Sequence, residues 1–170
     1  MFDLEIKTLD AQDDLRAFDC NNTFLNSFLK LRSLSEQNAK LSTTYLLRFN
    51  DDKQKQVVIG FASIKCSNTV YHDPEMSDEP QEIPSVYIQC LAIDSKWQKG
   101  KKQINAGTKL LSAIIHLIRT DISSLLGARF ITMHALKDAA PWYENKFCFT
   151  KLVDESEGSE TEFMYLDILR

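Results

Sequence analysis

With 170 residues, 44% of them hydrophobic and 26% charged, the chain has the composition of a globular domain with a sizeable core, which excludes a disordered segment. Its net charge of −4 excludes a global attraction to nucleic acid or anionic lipid, so any anion site has to be local. No apolar run approaches the roughly 20 residues that cross a bilayer, so no membrane partner is expected.

The first residues, Met1 to Lys7, read as a strand, and Asp3 and Glu5 stand where a secretory leader needs basic residues, so a cytoplasmic location is expected. From residue 22, Phe24, Leu25, Phe28 and Leu29 have helical spacing, with Asn22 or Thr23 as cap, and a second short helix runs to about Asn38. Thr43 to Phe49 and Gln56 to Ile64 predict an antiparallel hairpin around the polar turn at residues 50–53. Residues 67–84 hold Pro74, Pro80 and Pro84 with Asp73, Glu75, Asp78, Glu79 and Glu82 and no Lys or Arg, and read as an exposed acidic loop.

Val86 to Ile93 is apolar enough for a central strand, ended by Asp94-Ser95-Lys96. Gly107, Leu110, Leu111, Ile114, Ile115 and Ile118 then form the stripe of an amphipathic helix. Phe130 to His134 is a strand, Ala139 to Lys146 a short helix, and Glu162 to Ile168 a final strand. This order predicts a single domain over residues 1–170 of the α/β or α+β class, with a mixed, mostly antiparallel sheet flanked by helices. Cys20, Cys66, Cys90 and Cys148 stand singly with no CxxC pair, which signals neither a disulfide framework nor a metal site and fits reduced, mostly buried thiols.

One segment has the makings of a phosphate site. Between the central strand and the helix stand Trp97-Gln98-Lys99-Gly100-Lys101-Lys102-Gln103-Ile104-Asn105-Ala106-Gly107. A strand-to-helix loop of this kind presents backbone N–H groups and the positive helix end to an anion, and Lys99, Lys101 and Lys102 add charge. A solvated lysine-rich turn is the plainer reading of the same residues.

The segment resembles the acetyl-CoA motif of the GNAT superfamily, Q/R-x-x-G-x-G/A. Leu91-Ala92-Ile93-Asp94 with Trp97-Gln98 is similar to the family's strand and loop entry, and Lys102 to Gly107 fits the motif spacing with Lys for Arg and Asn105 for the first Gly. Asn tolerates the left-handed backbone that this glycine provides. The resemblance implies an acetyl-CoA cleft between two splayed central strands. It also implies cofactor contacts from Leu91, Ala92, Ile93, Gln98, Lys99, Gly100, Lys101, Lys102, Asn105, Ala106 and Gly107, with no metal.

His134-Ala135-Leu136 through Ala140-Pro141-Trp142-Tyr143 to Phe147-Cys148-Phe149 resembles the closing GNAT segment F-Y-x-x-x-G-F, with Trp142 for Phe and Cys148 for Gly. Packing is the bland role of Tyr143. The resemblance implies instead that it sits beside the CoA sulfur and protonates the departing thiolate while the amine attacks the thioester directly. His134, His72 and His116 show no pattern that marks one as general base, and Glu144 reads as a solvated helix residue.

Phe18-Asp19-Cys20-Asn21-Asn22-Thr23-Phe24-Leu25-Asn26-Ser27-Phe28-Leu29 resembles the F-x-C-x-x-x-x-L-N-x-W/F-L opening of toxin-type GNAT enzymes. That likeness implies an aminoacyl-tRNA substrate, a small ribbon-helix-helix antitoxin partner and a homodimer. Two other readings stay open: a GNAT enzyme for a small cationic amine or peptide, drawn by the acidic residues of 67–84, and a non-catalytic GNAT-shaped module whose altered loop has lost acetyl-CoA.

Overall fold

A computed structural model describes residues 3–50, 56–72, 78–98, 104–152 and 159–170. The elements in chain order are β1 (Asp3–Thr8), α1 (Thr23–Ser27), a π-helical turn (Phe28–Arg32), α2 (Ser33–Asn38), β2 (Thr43–Asn50), β3 (Gln56–Tyr71) and β4 (Gln81–Ile93). A 3-10 turn (Ser95–Trp97), α3 (Ala106–Leu117), a second π turn (Ile118–Ile122), α4 (Ser123–Leu126), β5 (Phe130–Leu136), α5 (Ala140–Phe147), β6 (Thr150–Lys151) and β7 (Thr161–Asp167) follow. The strands form one mixed sheet in the order β1-β2-β3-β4-β5-β7-β6, in which β4 and β5 run parallel. The chain folds as two compact units, one of Met1–Lys65 with Cys90–His116 and the other of Cys66–Gln89 with Leu117–Arg170.

In the first unit the core gathers on Phe61, which Phe18 meets edge-on at 5.6 Å and Phe28 stacks upon at 6.2 Å. Leu29, Leu46, Cys90 and Ala92 complete the same cluster. Asn22 is the N-cap of α1, its side chain accepting from the Leu25 N–H at 3.0 Å. Phe24, in the first turn of α1 ahead of the π turn, is 62% exposed although it shares the helical spacing of the buried Phe28 and Leu29. Arg48 on β2 is buried and ion-paired with Asp13, which pins the loop after β1.

A β-bulge shapes the middle of this unit. Leu47 faces Gly60 and Arg48 faces Val58, so Ile59 is the extra residue on β3. Its carbonyl accepts from the Asp94 N–H at 2.9 Å, just past the end of β4. A Cβ on Gly60 would lie 2.6 Å from Ile93 Cδ1, 3.1 Å from the Ala92 carbonyl oxygen and 3.3 Å from Leu110 Cδ2. Glycine here lets β4 and α3 close on β3.

In the second unit β5 pairs along its whole length with β7, and alternate residues Ile131, Met133, Ala135, Met164 and Leu166 are buried. Arg129 holds Asp167 at 2.8 Å. Burial pushes that carboxyl up, but hydrogen bonds from Arg129 and from the Leu169 N–H outweigh it and hold it below the ordinary range. Gly127 closes α4 in the left-handed conformation, φ 66°.

The acidic loop expected over 67–84 is shorter than the sequence suggested. β3 continues through Thr69 to Tyr71 and β4 begins at Gln81, with Thr69 and Ser85 buried and hydrogen-bonded at 2.9 Å. Tyr71 packs edge-on to Phe130 at 5.2 Å, and its hydroxyl lies 3.3 Å from that of Tyr165. These buried partners outweigh the breaker residues. Pro84 fits because the β4–β5 ladder starts only at Ser85, and its carbonyl accepts from the Arg129 N–H. Asp73, Pro74 and Glu75 lie outside the described residues.

Candidate active site

The first unit carries the strand-to-helix passage. The β4–β5 ladder runs from Ser85/Phe130 to Ile88/Met133 and stops, although β4 continues to Ile93 and β5 to Leu136. Leu91 and Ile93 are half-buried and Ala92 is buried. Beyond them Asp94 caps the 3-10 turn, its Oδ1 accepting from the Lys96 N–H at 2.9 Å, and Trp97 is buried against Phe49 at 4.8 Å.

Asn105 precedes α3 with φ 47°, in the left-handed region that Asn tolerates better than other non-glycine residues. Its carbonyl accepts the first helical bond, from Lys109 at 3.1 Å, so the α3 N-terminus begins at Ala106 with its first-turn N–H groups lacking intrahelical acceptors. Ala106 is buried and belongs to the core, whereas Gly107 is half-buried. A helix start of this form suits an anion. Lys99, Gly100, Lys101 and Lys102 lie outside the described residues.

Gln98 is tied back into the unit. Its Nε2 donates to the Ile93 carbonyl at 2.7 Å and lies 3.3 Å from that of Cys20. The segment at Asp19 and Cys20 is bound to the same place from the other side. The Asp19 N–H donates to Asp94 Oδ2 at 3.0 Å, and the Ser95 N–H to the Asp19 carbonyl at 2.8 Å. Asn26 closes the arrangement, its Oδ1 accepting from the Cys20 N–H at 3.0 Å and its Nδ2 donating to Asp19 Oδ1 at 2.8 Å. Hydrogen bonds from the Asn21 N–H and from Asn26 hold the Asp19 carboxyl below its ordinary range.

Tyr143 stands in the second unit, on α5. Pro141 occupies the first turn, and Cys148 ends the helix with φ 60°, the left-handed place that glycine takes in the GNAT motif. Tyr143 is 9% exposed and packs edge-on to Trp142 at 4.8 Å and Phe149 at 6.0 Å. Among the described residues its hydroxyl has no hydrogen-bond partner, and burial pushes the phenol up to about 12. His134 is exposed, with Nδ1 2.9 Å from the Tyr87 hydroxyl, and Glu144 lies 3.9 Å from Lys151. Cys20 and Cys90 are buried, Cys66 and Cys148 exposed.

Reasoning from the sequence missed Asp94, taken only as a strand end, and Gly60. A glycine inside a β-branched run is the signal for close backbone approach that identifies the second. No helix among the described residues is long and apolar enough to cross a membrane, and no three His, Cys, Asp or Glu side chains among them converge on a metal position.

No protein-family model matches the sequence, and no curated protein matches it. Solved structures do match in fold. A tyrosine-to-phenylalanine mutant of KacT superposes with a TM-score of 0.80 at 21% identity, covering 98% of this chain and 95% of KacT. AtaT complexed with acetyl-methionyl-tRNAfMet gives 0.78 at 25% identity over 97% and 95% of the two chains. A tyrosine-to-phenylalanine mutant of the AtaT toxin, bound to acetyl-CoA and the C-terminus of the antitoxin AtaR, gives 0.77 at 25% over 98% and 94%. Over nearly its whole length the chain has the fold of KacT and AtaT, the GNAT acetyltransferases of toxin–antitoxin systems.

Proposed function

We propose that this protein is an acetyl-CoA-dependent N-acetyltransferase whose acceptor is the α-amino group of an aminoacyl-tRNA, held in check by a small antitoxin. The observation that carries the reading is the left-handed Asn105 at the head of a helix that follows β4. That conformation is what the GNAT motif requires of its first glycine. Here a side chain meets the requirement without losing the helix N-terminus as an anion site. AtaT, at 25% identity, supports the substrate class through its complexes with acetyl-CoA and acetyl-methionyl-tRNAfMet, and supports the antitoxin through its complex with AtaR.

The chain's residues divide the work as follows. The α3 N-terminus with Gly107, assisted by Lys99, Lys101 and Lys102, holds the pyrophosphate. The backbone of Leu91, Ala92 and Ile93 receives the pantetheine arm and thioester. The neutral amine attacks the thioester carbonyl, the C–N bond forms, the C–S bond breaks, and the amine gives up a proton to solvent. An α-amine of pKa about 8 is partly neutral near pH 7, so the reaction needs no strong base.

Tyr143 serves the leaving group. A phenol pushed up to about 12 keeps its proton. Complete transfer to a thiolate of pKa about 8.5 is uphill by roughly 5 kcal/mol. Tyr143 therefore donates a hydrogen bond to the developing thiolate, and solvent supplies the final proton. KacT and AtaT both have structures as tyrosine-to-phenylalanine mutants, in keeping with a working tyrosine in this fold.

Calorimetric titration with acetyl-CoA, repeated on a Lys101→Ala, Lys102→Ala double variant, tests the reading. Micromolar affinity that the variant loses supports it. Absence of binding at millimolar ligand refutes it. A small cationic amine is the second acceptor class, favoured by the exposed Asp78, Glu79 and Glu82. Turnover of a polyamine panel with no transfer to charged tRNA selects it.

A further inference from the structure

The opening segment Phe18 to Leu29 stands apart from acetyl-CoA chemistry in the sequence, yet its polar atoms are spent on the passage from β4 towards α3. Asp19 is joined to Asp94 and Ser95 through its backbone, and Cys20 accepts from Gln98 through its carbonyl. Asn26, seven residues on, locks both by accepting from the Cys20 N–H and donating to the Asp19 carboxylate. The Cys20 thiol donates to the same Asn26 oxygen at 3.2 Å. Gln98 bonds the Ile93 carbonyl as well, so one amide fastens both the opening segment and the end of β4.

All these atoms lie in one compact unit, and Asp94 is buried at 4% exposure. The Asp94 N–H donates to the bulged Ile59 carbonyl, which anchors the clasp to the sheet. We infer that Asp19, Asn26, Asp94 and Gln98 are positioning residues for acetyl-CoA: they fix the end of β4 and the exit at Gln98, setting the backbone on which the co-substrate lies. This inference rests on the acetyltransferase reading above and adds to it a role for the opening segment. None of the four need touch the reacting atoms. Their effect passes through backbone placement, since one hydrogen bond to the co-substrate moved out of range costs about tenfold in affinity.

Asn26→Ala removes the acceptor of the Cys20 N–H and the donor to Asp19 together. It raises the calorimetric Kd and the KM for acetyl-CoA at least about tenfold, leaving the KM for the acceptor and kcat at saturating acetyl-CoA near those of the unaltered protein. Ser33→Ala, which deletes a buried hydrogen bond to the Leu29 carbonyl in the same unit, lowers Tm without moving the Kd. Should Asn26→Ala fail to fold, Asp94→Asn, which can no longer accept from both the Asp19 and the Lys96 N–H groups, gives the same readout. A Kd unchanged in the folded variant, with Tm alone lowered, overturns the clasp assignment. Failure of the unaltered protein to bind acetyl-CoA overturns the acetyltransferase reading and the clasp assignment with it, so the two failures are told apart by the unaltered protein's titration.

Discussion

Gly60→Ala tests how closely the sheet and the strand-to-helix passage are packed. The new methyl lands 2.6 Å from Ile93 Cδ1, a distance at which something has to move, and 3.1 Å from the Ala92 carbonyl oxygen. Ile93 can swing its terminal carbon aside, but the carbonyl belongs to the backbone of β4 and yields only by shifting the strand a few tenths of an ångström. Overpacking of this kind costs about 1–2 kcal/mol. At ~2–4 °C per kcal/mol for a chain of this size, Tm falls by about 2–8 °C. Because the displaced atoms belong to Ala92 and Ile93, acetyl-CoA affinity falls too, by about two- to tenfold. Scanning calorimetry and acetyl-CoA titration on one preparation measure both. A variant as stable and as tight-binding as the parent refutes the packing argument. A loss of stability with unchanged affinity refutes the link from Gly60 to the co-substrate.

Tyr143→Phe deletes a hydroxyl with no partner among the described residues, so stability changes by less than about 0.5 kcal/mol while kcat falls about 10²- to 10³-fold, as for one donor lost from a developing anion. Equal turnover by the variant removes Tyr143 from the mechanism. Asp13→Ala strands the buried Arg48 guanidinium and costs about 3–5 kcal/mol, whereas Asp14→Ala removes an exposed carboxylate from Arg16 and costs far less. Urea titration of the two variants shows the contrast, and equal midpoints would contradict it. Cys148→Gly relieves a left-handed φ of 60° and stabilises the protein by about 1 kcal/mol, raising Tm by ~2–4 °C. An unchanged or lower Tm would mean that the Cys148 side chain contributes more packing than its exposure suggests.

Periodicity made much of the fold legible. The α3 stripe of Leu110, Leu111, Ile114 and Ile115 is buried as its spacing predicts, and β2 and β3 pair antiparallel as expected. The resemblance to the GNAT motif set Asn105 in place of a glycine, and its φ of 47° lies in the left-handed region. Long-range hydrogen bonding was not legible. Asp94 meets Asp19 across 75 positions and Gln98 meets Cys20 across 78, with backbone groups as half of each pair, so side-chain identity carries little trace of them. The far halves of β3 and β4 were hidden because Pro80, Pro84 and the acids outweighed the β-formers Thr69, Val70 and Tyr71 in a local reading. Contacts with Ser85, Phe130 and Tyr165 reverse that balance.

The most direct test of the central claim is transfer of label from acetyl-CoA to a pool of charged tRNA by the purified protein. The expected label precipitates with tRNA, is released by mild base as N-acetyl amino acid, and is all but absent with Tyr143→Phe. Charged tRNA left unlabelled at saturating acetyl-CoA, by a protein that binds acetyl-CoA, would contradict the acceptor assigned here.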